Sequence, residues 1–500
     1  MTSSLPGDPD QAEATDPVAA GASTRNPRHT ASRVFKNTAA LGVGSNVNAL
    51  GRLVVLAIIV RNCGTTIFGW YIVLVELLKI TEWLIDFGTT EVFVRELSRE
   101  PSKRERLLRI LTATKVIHVP AGIAMLVVIL MVMQYPPEVT RIGLLGVIAL
   151  ASYAAVVVYR VVYRVDLTME REVGAEMASV ILLIGLTAWV AASETALVTV
   201  FACFIVSRVV FAGLCVLLGS RDFRLSVSGV TVPDLRWALR STVLIGLIGF
   251  LIFIYQSADL LVLSKLGSDL DLAYFSGAQK LAWPLLMMLG AIGTTMYSVV
   301  AMHWPHDTDS FNRACQRGFD TVFLIGALAV CPMVAAPEWF LGLLGPELVA
   351  GADALPVLVL LCLLKAVSMT VGSTLYIVHA QRVVFAFIGA ALLVKLPLII
   401  LIAPRGGFMG IAYASLIVEV LFVTIPSLYF VWARTGFFPR WGTAFRVGAI
   451  GAIAVFGAQA LLPEHGFLSA CLAGALYVGV VLMTRTFTFS ELRSKAESKP

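Results

Sequence analysis

About fourteen long apolar stretches run down this chain, and roughly seven Lys or Arg residues lie inside them instead of between them. A cation at the centre of a membrane helix costs about 2.5 to 3.5 kcal/mol on insertion scales, so seven left unpaired in lipid would cost on the order of 20 kcal/mol. They are therefore expected to face one another, acids or a water-filled cavity. A many-helix membrane chain with a charged interior is a candidate for moving something polar across a bilayer.

With 58% hydrophobic and 14% charged residues among 500, and a mean hydropathy of +0.86, the chain lies outside the range of soluble domains. Apolar segments of about twenty residues bounded by Arg, Pro or Gly fit helices, whereas a transmembrane barrel alternates in pieces of about ten. The expected fold class is an all-α polytopic membrane protein. The net charge of +6 does not point to nucleic acid, because the basic residues sit at helix ends on alternating connections. One set of connections holds roughly 27 of them and the other about four (Arg61, Arg141, Lys265, Arg405). Both termini are then expected in the cytoplasm, which needs an even number of spans. Residues 1–33, rich in Pro, Gly, Ala, Ser and Asp, read as a disordered cytoplasmic tail. The apolar run from about Val34 is too long and too late for a signal peptide. The seven cysteines are scattered without a CxxC pair and read as packing residues.

The chain also repeats itself. Gly64-Thr65-Thr66-Ile67-Phe68-Gly69-Trp70-Tyr71 closes the first hairpin, and Gly267-Ser268-Asp269-Leu270-Asp271-Leu272-Ala273-Tyr274 closes a later one, with one offset for both the Gly and the Tyr. Met169-Glu170-Arg171 lines up with Ala380-Gln381-Arg382 in the same order. The expected organisation is a six-helix bundle at 34–220, a cytoplasmic linker at 221–238, a second six-helix bundle at 239–434, two additional helices at 435–485 and a tail at 486–500. Two halves related by an axis along the membrane normal would leave a cavity between them.

Lys36-Asn37-Thr38, Arg61-Asn62-Cys63-Gly64, Phe68-Gly69-Trp70-Tyr71, Asp86-Phe87-Gly88 and Val94-Arg95-Glu96-Leu97 together resemble the start of Wzx-type polysaccharide flippases, of the multidrug/oligosaccharidyl-lipid/polysaccharide exporter (MOP) superfamily. The similarity is close over 35–100 and looser over 255–430, where Ala273-Tyr274-Phe275 and Gly407 to Ala414 echo the family. The resemblance implies two bundles alternating access to a central cavity. It implies as substrate an undecaprenyl-pyrophosphate-linked oligosaccharide, passed from the cytoplasmic to the outer leaflet of the inner membrane. The polymerase and glycosyltransferases of such a pathway are the implied protein partners.

Among the interior charges, span two is the most readable. At 100° per residue Glu76, Lys79, Glu82 and Asp86 fall within about 120° of one another. They form either a cavity wall offering a phosphate contact and protonatable carboxylates, or a self-paired set in which Lys79 meets Glu76 and Glu82. Arg52, in span one, has no acid nearby in sequence. Its planar fork suits two oxygens of a pyrophosphate, with a bridge to span two as the alternative. Lys280 holds the corresponding inner region of the other half, unless it snorkels. Lys365 and Lys395 face either the cavity or another helix, while Lys115 and His118 are expected at the interface.

The repeat alignment also sets Arg208 on Glu419, opposite charges at equivalent midplane positions. The expectation is a contact made in one access state and broken in the other, against local partners within each bundle. Asp259, deep in span seven, reads as a coupling-cation site or as a carboxylate bonded to hydroxyls. Pro284, Pro332, Pro356, Pro397 and Pro426 interrupt helices.

The chain has no GxxxxGK[ST] motif, so it is not expected to hydrolyse ATP, and it has no long external domain of the kind expected of a membrane glycosyltransferase or polymerase, so an enzyme is not expected. No cofactor is expected beyond a coupling H⁺ or Na⁺, for which Glu76, Glu82, Asp86, Asp259 and Glu419 are the options. The rival readings are a cation-coupled multidrug exporter, favoured by an acidic cavity, and a lipid II flippase. The cationic balance of the interior favours an anionic phosphate.

Overall fold

The computed structural model describes residues 27–193, 196–378 and 380–484, and only the backbone at 27–43, 45, 294, 295 and 298. The expected tails at 1–33 and 486–500 lie outside them, except that helix already begins at Pro27. In chain order the helices are α1 (Pro27–Asp86), α2 (Thr89–Arg99), α3 (Arg104–Met133), α4 (Pro137–Leu144), α5 (Gly146–Val165), α6 (Glu170–Ser193), α7 (Leu197–Gly219) and α8 (Val232–Leu266). There follow α9 (Asp269–His303), α10 (Thr308–Ala335), α11 (Pro337–Leu344), α12 (Ala354–Ile377), α13 (Gln381–Val418), α14 (Ile425–Thr435), α15 (Gly442–Leu461) and α16 (Gly466–Met483). No strand occurs among the described residues.

Among the described residues eleven stretches are long and apolar enough to cross a membrane, and two of them are hairpins. A straight α1 would hold Arg52 and Lys79 about 40 Å apart, yet both line one cavity. The reversal falls at Gly64, whose φ of 84° is a conformation that side-chain-bearing residues rarely adopt. In α13 the reversal falls at Gly407, φ 52°, so that Val384 and Ser427 of the α13–α14 segment share a cavity. A side chain at Gly407 would also strike Asp271, which caps the restarted helix by accepting from the Phe408 amide at 3.2 Å. Counting each hairpin as two gives thirteen passes among the described residues, and the 35-residue α9 stands where the remaining one of the fourteen is expected.

The two arms of α1 with α3, α5, α6 and α7 form the first half; α8, α9, α10, α12 and the α13–α14 hairpin form the second. Helices α6 and α13 begin at Glu170 and Gln381, the positions that the repeat sets equal. Helices α15 and α16 pack on α10 through Val447, Ala454, Ala473 and Tyr477. The halves meet along α1, against α8 and α9.

Two connections carry ordered structure of their own. Thr89–Arg99 is an amphipathic helix burying Val92, Phe93 and Leu97. The connection after α10 is folded into the body, with Leu341, Leu344 and Leu348 buried.

Candidate functional site

The central cavity, about 330 Å³, lies between the halves and takes its walls from α1, α6, α8 and α9. Three cations reach it: Arg52, Lys79 and Lys280. Two carboxylates face them. Arg52 donates to Glu176 at 2.7 Å and keeps 41% of its side chain exposed. Glu76 accepts from Lys280 at 3.1 Å and from the Ser257 hydroxyl at 2.9 Å, with Lys79 at 3.6 Å. The acid of the first half is thus held by two residues of the second, and the cavity retains one cation in excess. Asn48, 4% exposed, lines the same space, and neither of its amide atoms has a partner among the described residues. A smaller cavity of about 80 Å³ shares Arg52, Lys79 and Lys280 and runs into the first half as far as Arg208.

The polar face of span two is therefore divided. Glu76 and Lys79 line the cavity. Glu82 turns to Arg208, which donates to it at 2.6 Å and lies over the Tyr153 ring at 5.4 Å. Asp86 is at neither: its carboxylate accepts from the Thr90 amide at 3.1 Å and from the Thr89 and Thr90 hydroxyls, capping α2. Its reading as a cavity coupling group is corrected to a helix cap. Lys115 and His118, 3% and 6% exposed, are buried against the end of α1. Lys115 donates to the Ile85 carbonyl at 2.8 Å and to Thr89, and His118 Nδ1 meets the same carbonyl at 3.1 Å. The Ile85 carbonyl is one that the end of α1 leaves without a helical partner.

In the second half, Lys395 lies away from the central cavity. Its ammonium, 0% exposed, donates to Asp259 at 2.8 Å and to the Tyr255 carbonyl at 2.9 Å, while Ser415 donates to the other Asp259 oxygen at 2.6 Å. Of the two readings open for each, the structure places Lys395 against another helix instead of the central cavity and Asp259 on a hydroxyl and that ammonium, a buried pair joining α8 and α13. Glu419 accepts from the Tyr255 hydroxyl at 2.9 Å and leaves its Oε1 unpartnered. It opens a π-helical turn over Glu419–Thr424. Arg208 and Glu419 thus have local partners and do not meet in this state. Lys365 lies 5.5 Å from the Tyr255 ring centre and, with Glu419, lines a separate cavity of about 370 Å³ inside the second half.

Sequence reasoning missed three participants. Glu176 was visible as an acid six residues into α6. Ser257 and Arg61 carried no local signal. Arg61 donates to the carbonyls of Gly342, Leu343 and Leu344 at 2.9 to 3.2 Å, joining the halves at the C-terminus of α11, where the helix dipole favours a cation. At the other end of the seam Trp83 stacks on Phe253, centroids 6.2 Å apart, and Phe87 and Gly88 pack against Gly246. The halves therefore touch on both sides of the cavity. Among the described residues no group of His, Cys, Asp or Glu is placed to hold a metal.

The fold and site define a polytopic α-helical membrane protein built of two six-helix halves around a charged cavity. No family model matches the sequence, and no curated protein matches it. Among solved structures the chain superposes on the lipid II flippase MurJ in an inward closed conformation, with TM-score 0.73 and 12% identity, over 90% of this chain and 98% of that one. It superposes on an inward-facing multidrug resistance MATE transporter of the MOP superfamily with TM-score 0.62 and 14% identity, over 78% and 96%. A MOP superfamily transporter from Pyrococcus furiosus, noted for the reverse polarity of its binding pocket, gives TM-score 0.57 and 14% identity over 81% and 95%. The chain shares the fold of these structures.

Proposed function

We propose that this protein is a flippase for a diphosphate-linked lipid, moving its anionic headgroup through the central cavity while the two halves alternate their contacts. The observation that carries this reading is the cation surplus: Arg52, Lys79 and Lys280 against Glu76 and Glu176 in one cavity between the halves. A guanidinium fork with two ammonium groups matches the several oxygens of a diphosphate. The unpartnered Asn48 amide adds a donor and an acceptor for a sugar or a phosphate. The resemblance over 35–100 favours an undecaprenyl-pyrophosphate-linked oligosaccharide, for cell-surface polysaccharide assembly at the inner membrane.

The likeness to MurJ supports a lipid II flippase as a second reading, with the same cavity chemistry. The likeness to MATE transporters supports an exporter of drugs, but for cationic drugs that chemistry has the wrong sign. Coupling to H⁺ or Na⁺ is part of the proposal only at Glu76, the one of these candidate acids that lines the central cavity; Glu82, Asp86, Asp259 and Glu419 have partners outside it.

The test is lipid analysis after deletion of the gene in its own host. Accumulation of a polyprenyl-pyrophosphate oligosaccharide, reversed by wild type and not by Arg52→Ala, supports the first reading and identifies the glycan. Accumulation of lipid II supports the second. Unchanged lipids with new sensitivity to cationic drugs overturn both.

A further inference from the structure

We propose that the cavity inside the second half receives the hydrocarbon chain of the amphiphile whose anionic head the central cavity holds. This rests on the reading of the central cavity given above. Helices α8 and α9 leave a common turn at Gly267 and then diverge: α9 packs chiefly along α12 and α8 along α13. Gln256 lines both cavities, so the two spaces adjoin at that residue. Helix α9 offers Trp283, Pro284 and Met287 to the central cavity, and Leu286, Gly290 and Gly293 to the other.

The chemistry of the second space suits a chain and not a second ionic head. Ile252, Leu286, Met369, Val384, Phe387 and Val423 supply its apolar walls. The charges gathered around Tyr255 cancel, Lys365 and Lys395 against Asp259 and Glu419. At Gly290 an added Cβ would meet only Met369 Cε, at 4.0 Å, and at Gly372 only Ser427 Oγ, at 3.8 Å. A larger side chain at either glycine therefore has room to extend into the cavity.

The experiment uses the full chain in lipid nanodiscs, with geranyl diphosphate, geranylgeranyl diphosphate and geranylgeraniol as probes. Wild type is expected to bind the twenty-carbon diphosphate on the order of tenfold more tightly than the ten-carbon one, about 1.4 kcal/mol. Gly290→Leu and Gly372→Leu should each abolish that preference and leave geranyl diphosphate binding unchanged. A diazirine-bearing geranylgeranyl diphosphate should label Met369 or Phe387 in the wild type, which needs no variant to fold. Labelling elsewhere, or Leu variants that keep the chain-length preference, overturns the proposal. So does release of a co-purified phospholipid by the Leu variants with the preference intact, since its acyl chain is then the occupant. If geranylgeraniol binds and is lost in the Leu variants while neither diphosphate binds, the chain site stands and the headgroup reading fails. If both diphosphates bind equally and Arg52→Ala removes both, the headgroup reading stands and the chain site fails.

Discussion

Glu76 of α1 and Lys280 of α9 meet at 3.1 Å inside the central cavity, a carboxylate of one half on an ammonium of the other. Ser257 holds the second oxygen of the same carboxylate. Glu76 thus occupies, from within the protein, the place an anionic headgroup would take on Lys280. Glu76→Gln is expected to raise the affinity for a diphosphate about fivefold, near 1 kcal/mol, and to slow transport because the halves lose their shared contact. Binding by calorimetry and flipping in proteoliposomes separate the two effects. A variant that binds no more tightly would refute the competition. Exchanging the partners, Glu76→Lys with Lys280→Glu, should recover the contact between halves beyond either single change.

Arg52 stands differently. Its pair with Glu176 is half exposed to the cavity, so it contributes at most about 1 kcal/mol to stability. Arg52→Lys keeps the charge and loses the fork. Transport is expected to fall at least about tenfold, with thermal stability almost unchanged. A melting curve lowered as much as for a core variant would make Arg52 structural instead.

The hairpin at Gly64 and the membrane class were legible because glycine, charge and hydropathy act locally. Gly64 marked its reversal by type, and Arg52, Lys79 and Lys280 marked themselves as cations that lipid would not tolerate. What local pattern did not carry was direction. Helix α13 is apolar on all sides, so nothing in its periodicity told whether Lys395 faced the central cavity or Asp259 of α8. Partners far apart in the chain were illegible for the same reason: Arg61 finds the end of α11 some 280 residues later and Glu76 finds Ser257, 181 residues away. Asp86 was misread because its carboxylate serves the next helix.

The Lys395–Asp259 pair gives the opposite expectation to Arg52. Both side chains are almost fully enclosed, 0% and 2% exposed. Removing one charge leaves the other buried and unpaired, which costs about 3 to 5 kcal/mol. Lys395→Met and Asp259→Leu should each lower the melting temperature sharply. The double variant should recover most of the loss and retain transport, as measured by thermal shift and flipping on the same preparations. A stable double variant without transport would return the pair to the mechanism.

The last prediction concerns the two seams that enclose the cavity. At Gly246 an added Cβ would sit 2.7 Å from the Phe87 ring and 2.8 Å from its carbonyl oxygen, and at Gly249 it would sit 2.1 Å from the Trp83 ring. Both approaches are closer than packed atoms tolerate, so the seam closes only while these positions lack side chains. Gly246→Val is expected to part the halves at the Trp83 end, and Arg61→Ala, which removes the guanidinium from three carbonyls, to loosen the α11 end. The readout is labelling of Asn48→Cys by a membrane-impermeant maleimide in inside-out and right-side-out vesicles, in a background with Cys471 replaced. Gly246→Val should raise labelling from one side of the membrane and Arg61→Ala from the other, each by about fivefold or more. Equal labelling from both sides in either variant would mean that the seams do not gate the cavity separately. Alternation between them would then have to arise elsewhere along α1.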